Sequence, residues 1–272
     1  MAPPDAGQSD VPSSEIEARG PIDAPQIVFV HGAGISREMW RPQLESLSEN
    51  FRVVTFDLPG HGTLSHTSFE FETAVSVLAD VVAAVGPPVV LVGHSLGGYV
   101  VTEYAARWPD NLTGIVCSGS SADYRGWLGV RTRLTAALYR LGARLPFVER
   151  WFLDRTATQV RSLPVSEKTA ESIIDGGFFL RSWGEAGRTL VGRDFQKRLH
   201  QFDGPVLLVN GETDTLNAPN ADQLAMKLPN VEAVVIDDVG HLCNLQAPSA
   251  YTDIVRGFVE QLEADPKDED TS

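Results

Sequence analysis

The chain has few cysteines, few lysines and no long apolar run, and each shortage narrows what it can be. Cys117 and Cys243 are the two cysteines in 272 residues, so no disulfide framework is expected and a reducing compartment fits. No stretch of about 18 uninterrupted apolar residues occurs, which predicts no transmembrane helix. Positive charge is short as well: 22 basic against 36 acidic residues give a formal net charge of −14. That balance argues against nucleic acid or an anionic membrane surface as partner. Lys168, Lys197, Lys227 and Lys267 are the lysines, and none belongs to a Gly-rich phosphate loop. No His/Cys/Asp cluster has metal-ligand spacing. Neither a metal nor a cofactor is expected. Residues 1–10 have neither the basic start nor the apolar stretch of a signal peptide. The expectation is a cytoplasmic location and a small-molecule substrate, with no signal of oligomeric state.

What is present reads as a globular α/β chain, 43% hydrophobic and 21% charged. Apolar, β-branched runs at Ile27–Val30, Phe51–Phe56, Val89–Val92 and Thr113–Cys117 alternate with stretches of helical spacing. Strands so uniformly apolar fit a mostly parallel sheet covered on both faces. The alternation then stops. Residues 121–203 hold helical stretches and no convincing strand, after which strands at Pro205–Asn210 and Glu232–Ile236 resume the pattern. The expected organisation is a disordered leader over 1–24, with a short strand at Glu15–Arg19. A core follows over 25–120 and 204–263, with an all-helical insertion at 121–203. An acidic disordered tail covers 264–272.

The run Val89–Val92 ends in Gly93-His94-Ser95-Leu96-Gly97, and a helix-compatible stretch follows at once. A strand that reverses into a helix at one residue leaves that residue strained and its side chain exposed at the sheet edge. Ser95 is therefore the candidate nucleophile. A serine needs a base, the base an orienting acid, and the oxyanion donors. Candidates for each follow the ends of strands: Asp214 in Gly211-Glu212-Thr213-Asp214, His241 in Gly240-His241, and the turn His31-Gly32-Ala33-Gly34. In a parallel sheet these positions share one edge. Asp123, after the fourth strand, is the rival acid. His31 is expected to brace the turn that contains it. Asp57, His61 and His94 read as turn and packing residues, and Cys243 as small core filler.

Taken together with Asp57-Leu58-Pro59-Gly60-His61-Gly62, these motifs resemble the α/β-hydrolase family over nearly the whole chain. The order Ser…Asp…His is that family's order. The resemblance implies Ser95 as nucleophile, His241 as general base and acid, and Asp214 as orienting carboxylate. It implies an oxyanion hole from the backbone N–H groups of Leu96 and Ala33, and it makes the helices of 121–203 a cap over the site. The implied activity is a serine hydrolase cleaving an ester, thioester or lactone of a small, largely apolar substrate. Carbon–carbon bond hydrolysis by the same triad and a non-catalytic, ligand-binding relative are the alternatives. Two departures are noted: little β-pattern precedes the His-Gly strand, so the sheet edge is expected to be reduced. Also, Pro219 follows Asp214 by five residues where four is usual. Aromatic residues crowd the cap region, and Tyr124, Trp127, Phe178 and Trp183, with Trp40 after the oxyanion turn, are the expected pocket walls. Arg181, Arg188 and Arg193 read as a solvated helix face.

Overall fold

A computed structural model of the chain describes residues 16–264. Seven strands form one sheet: β1 Ile16–Arg19, β2 Gln26–Val30, β3 Arg52–Phe56, β4 Val89–His94, β5 Leu112–Ser118, β6 Val206–Gly211 and β7 Val231–Ile236. Their spatial order is β1-β3-β2-β4-β5-β6-β7. All neighbours are parallel except β1, which runs antiparallel to β3 with Ile16 opposite Phe56 and Arg19 opposite Val53. The leader expected over 1–24 is thereby corrected for residues 16–19, which are the ordered edge of the sheet. Residues 1–15 of that leader, and the tail beyond Ala264, lie outside the described residues.

The strands split their side chains between two cores, as a period of two requires. On one face Ile27, Phe29, Val90, Val92, Val116 and Val209 pack against helix α1 (Arg41–Leu47) and the C-terminal helix Pro248–Ala264. On the other, Val28, Val30, Leu91, Ile115 and Leu208 meet α2 (Phe71–Val85) and α3 (Leu96–Arg107). β3 and β4 lie on opposite sides of β2. The chain therefore reverses its winding there, and a crevice opens at the carboxyl ends of β2 and β4.

Five helices are inserted between β5 and β6: α4 Gly126–Gly142, α5 Pro146–Arg161, α6 Glu167–Asp175, α7 Leu180–Leu190 and α8 Phe195–Leu199. Helical spacing predicts one helix over 183–199. Gly192, with φ +86°, interrupts it, and Asp194 starts α8 by accepting from the Lys197 N–H. Helix α7 ties the insertion to the core. Glu185 Oε2 accepts the Phe69 N–H at 2.9 Å, and Ser182 Oγ donates to Gly60 O at 2.6 Å. The Phe179 N–H donates to Gly34 O at 3.0 Å just before α7 begins. Among the described residues no helix is long and apolar enough to cross a membrane.

Candidate active site

Ser95 joins β4 to α3 in a single step. Its φ of 51° lies in the left-handed region that residues with a Cβ rarely adopt. Glycine on both sides makes the turn possible. A Cβ on Gly97 would lie 2.1 Å from Val30 O, and one on Gly93 would lie 2.5 Å from Gly97 O. The Ser95 N–H is anchored to Ser118 O at 2.7 Å. Its Oγ is 3.0 Å from His241 Nε2. The other ring nitrogen, Nδ1, is 2.7 Å from Asp214 Oδ2. An ionised Asp214 fixes the tautomer: Nδ1–H donates to the carboxylate, and Nε2 is left to accept the Ser95 hydroxyl proton.

Burial pushes the Asp214 carboxyl up, but the bond and charge of His241 and the bonds from Asn217 outweigh it and hold the group at about 2. Asn217 is a site residue that sequence reasoning missed. Its Nδ2 donates to Asp214 Oδ1 and Oδ2 at 3.1 and 2.9 Å, and its N–H donates to Oδ1 at 3.2 Å. Its own Oδ1 accepts the N–H groups of Ser121 and Ala122, both at 3.0 Å. One amide thus orients the acid and ties the β6 loop to the β5 loop. The available signal was an Asn at the N-cap position of a helix, α9 (Ala218–Ala225), three residues after Asp214, although its side chain makes no cap bond and turns to Asp214 instead. The extra residue before Pro219 is absorbed in this turn, and Asp214 still meets His241. Asp123, the rival, is held by Arg125 at 2.7 Å and bonds to no histidine among the described residues.

The two glycine-rich loops beside Ser95 interlock through histidines. His31 Nδ1 donates to Gly32 O at 2.7 Å and its Nε2 accepts the Leu58 N–H at 2.9 Å. His61 Nδ1 donates to Pro59 O at 2.9 Å and its Nε2 accepts the Gly34 N–H at 2.9 Å. Each ring therefore braces the other's loop. Both must be neutral to do so. Burial, with the neighbouring His31, lowers His61 to about 3 despite its backbone partners. Ala33 lies within this clamped loop. Leu96 is the first residue of α3, so its N–H has no acceptor inside the helix. Ala33 and Leu96 border one cavity together with Ser95.

Two cavities meet at Ser95. The larger, about 410 Å³, is apolar and is walled by Phe152, Val160, Leu163, Phe178 and Leu245. The smaller, about 230 Å³, is lined by Tyr124, Arg131, Thr132, Thr135 and Tyr139. Trp183 borders both. It packs on Tyr139 and Phe152, with ring centroids 5.3 and 5.7 Å away. Tyr124 borders the smaller cavity, Phe178 the larger and Trp183 both. Trp40 and Trp127, also expected as walls, border neither. Trp40 is fully buried, 4.8 Å from the Phe29 ring, because a short helical turn over Arg37–Trp40 packs it against β2 in the core. Trp127 is 79% exposed on the outer face of α4. Arg131 was not anticipated, whereas Arg181, Arg188 and Arg193 pair with Glu185, Glu70 and Glu72. His94 is buried, with its ring 4.9 Å from that of His241, and burial holds it well below the usual range. It is a packing residue. Burial raises the Cys117 and Cys243 thiols to about 12, so neither is a nucleophile near neutral pH.

A family model described as "Alpha/beta hydrolase family" matches residues 27–254. Among relatives, 3-oxoadipate enol-lactonase 1 of Acinetobacter baylyi is 25% identical, with 91% of this chain and 93% of that protein covered. Pimeloyl-(acyl-carrier protein) methyl ester esterase of Aeromonas hydrophila is 28% identical, with 86% and 95% covered. Among solved structures, a thermophilic esterase from Thermogutta terrifontis superposes with a TM-score of 0.74 at 24% identity, covering 91% of this chain and 93% of that one. At that identity the likeness is one of fold.

Proposed function

The chain belongs to the alpha/beta hydrolase family, and from that premise we propose that it is a serine hydrolase that cleaves an ester, thioester or lactone of a small substrate through an acyl-enzyme. The observation that carries the reading is the relay from Ser95 Oγ to His241 at 3.0 Å and from His241 to Asp214 at 2.7 Å, opening onto two cavities. Ser95 Oγ attacks the substrate carbonyl carbon while His241 Nε2 takes its proton. The developing oxyanion accepts hydrogen bonds from the Leu96 and Ala33 N–H groups. The imidazolium, stabilised by Asp214, then protonates the leaving oxygen or sulfur as the bond to it breaks. Water, deprotonated by the same Nε2, attacks the acyl carbon, and the proton returns to Ser95 as the acid departs. The scheme uses no cofactor.

Cavity volumes suit a small substrate, and the apolar larger cavity suits its hydrocarbon part. The names of the two relatives, a lactonase and a methyl ester esterase, support ester-type cleavage. The test is a series of nitrophenyl esters and lactones with the wild type and Ser95→Ala. Turnover is expected to vanish in the variant at unchanged melting temperature. Ester hydrolysis that survives the substitution contradicts the scheme. So does a wild type that cleaves a vinylogous diketone far faster than every ester.

A further inference from the structure

The chain as a whole is acidic, but its charge is not evenly spread. Residues 126–161, which form α4 and α5, contain seven arginines against Glu149 and Asp154 and no lysine, a net of +5 within a total of −14. The same two helices carry most of the large exposed apolar side chains. Trp127, Val130, Leu134, Leu138 and Leu141 are 79, 47, 63, 67 and 56% exposed. Their spacing of three and four places all five on one narrow stripe of α4. Leu145 after α4, then Phe147 and Trp151 on α5, continue the apolar surface at 39, 72 and 62% exposure. Arg131, Arg133, Arg140 and Arg144 are exposed around it, and among the described residues none of them forms an ion pair. The face of α4 turned the other way, with Leu128, Thr132, Thr135 and Ala136, lines the smaller cavity at Ser95.

We propose that the outer face of α4 and α5 docks on an anionic lipid surface, with Trp127, Phe147 and Trp151 entering the headgroup region and the arginines flanking it. An apolar stripe on a helix edged by arginine, with aromatic residues at its ends, is the composition that lies in a membrane interface. Exposed apolar surface of this extent on a soluble chain marks a partner. Charge decides which one. Two copies meeting symmetrically through this face would set the same unpaired arginines against each other, which opposes association. A phosphate-bearing surface attracts them instead. Docked this way, α4 lies between the lipid and the smaller cavity, so an apolar substrate has a short path to Ser95. The net acidity of the chain, which argues against such a partner, resides in the rest of the molecule.

The experiment is co-sedimentation of the full chain with phosphatidylcholine vesicles, with and without phosphatidylglycerol, at low and high salt. Binding is expected only to the anionic vesicles, weakening with salt, with a blue shift of tryptophan fluorescence. Trp127→Ala with Leu134→Ala should weaken it at least about tenfold, and Arg133→Gln and Arg144→Gln about fivefold each. Hydrolysis of a soluble short ester should stay unchanged in all of these, which shows that they fold. Equal binding to both vesicle types overturns the proposal, as does binding that the variants leave intact. A chain that ignores the vesicles but sediments as a dimer dissociated by Leu134→Glu also overturns it, and makes this face a contact between copies.

Discussion

The strand ends around Ser95 and the five helices above them enclose the same cavities but are built on opposite terms. At the strand ends, position is set by backbone and by buried polar contacts. Gly93 and Gly97 leave no room for a Cβ, and His31 and His61 clasp each other's loops. Asn217 spends its side chain on the Asp214 carboxylate and the Ser121 and Ala122 N–H groups. In the inserted helices, position is set by side-chain packing around Trp183 and by a few ties through α7, and much apolar area stays in water. The first arrangement leaves little room for a larger side chain and fixes the Ser95, His241 and Asp214 geometry. The second is held more loosely and walls the cavities that open at Ser95.

The largest separation between the two regions is expected in catalysis. Asp214→Asn should lower kcat by about 10⁴-fold, because the His241 tautomer is no longer fixed. Asp123→Asn, at the start of the insertion, should change kcat by less than about threefold, since its partner is the exposed Arg125. The reverse order would move the acid to the β5 loop.

Glycine-to-alanine substitutions sharpen the contrast in stability. Gly97→Ala puts a Cβ 2.1 Å from Val30 O and should cost about 3 kcal/mol or more, measured by urea unfolding. In Gly187→Ala, within α7, the new Cβ lies 3.4 Å from Ala136 Cβ, an ordinary contact. A helix interior gains up to about 1 kcal/mol from that change, so the variant should be unaltered or stabilised.

Acid should attack the strand-end region first. The unfolded chain takes up a proton at His61 near its ordinary value of 6.5, while the folded chain resists until about 3. The unfolded state binds more protons in between, so stability is lost as pH falls from about 6.5 toward 3, by an amount of a few kcal/mol. Melting temperature followed from pH 7 downward should fall. In His61→Gln, whose side-chain oxygen can still accept the Gly34 N–H, the slope should be shallower. An unchanged slope would remove His61 from this role.

A much smaller catalytic effect than at Asp214 is expected at Trp183. Trp183→Ala joins the two cavities and should shift the preferred acyl length, with kcat/KM for the best short ester falling less than about 100-fold and the melting temperature lowered by the lost packing on Tyr139 and Phe152. A loss as large as that of Asp214→Asn would show that the wall also holds the oxyanion loop, since Trp183 packs over Gly34.

The same division explains what could be read from the sequence. Ser95, Asp214 and His241 were legible because each follows a strand, and strands in a parallel sheet deliver their ends to one edge. The all-apolar runs likewise announced a doubly covered sheet, and six of its seven strands. β1 was harder, since an edge strand of four residues with half its side chains exposed carries little pattern. The walls were read less well because aromatic content says nothing about which way a helix faces. Trp127 and Trp183 look alike in sequence, yet one points to water and the other spans both cavities. Trp40 was misplaced by proximity along the chain, which a single helical turn undoes. Asn217 is near Asp214 in sequence, but its tie to the Ser121 and Ala122 N–H groups, 96 and 95 positions away, leaves no local pattern.

The most direct measurement is intact-mass and peptide mapping of the enzyme after brief reaction with a fluorophosphonate and, separately, with a slowly deacylating nitrophenyl ester. Both adducts are expected on Ser95, formed at a rate that Asp214→Asn slows by orders of magnitude and Trp127→Ala leaves alone. A protein that turns over esters while Ser95 stays unlabelled, or that carries the adduct on another residue, contradicts the account.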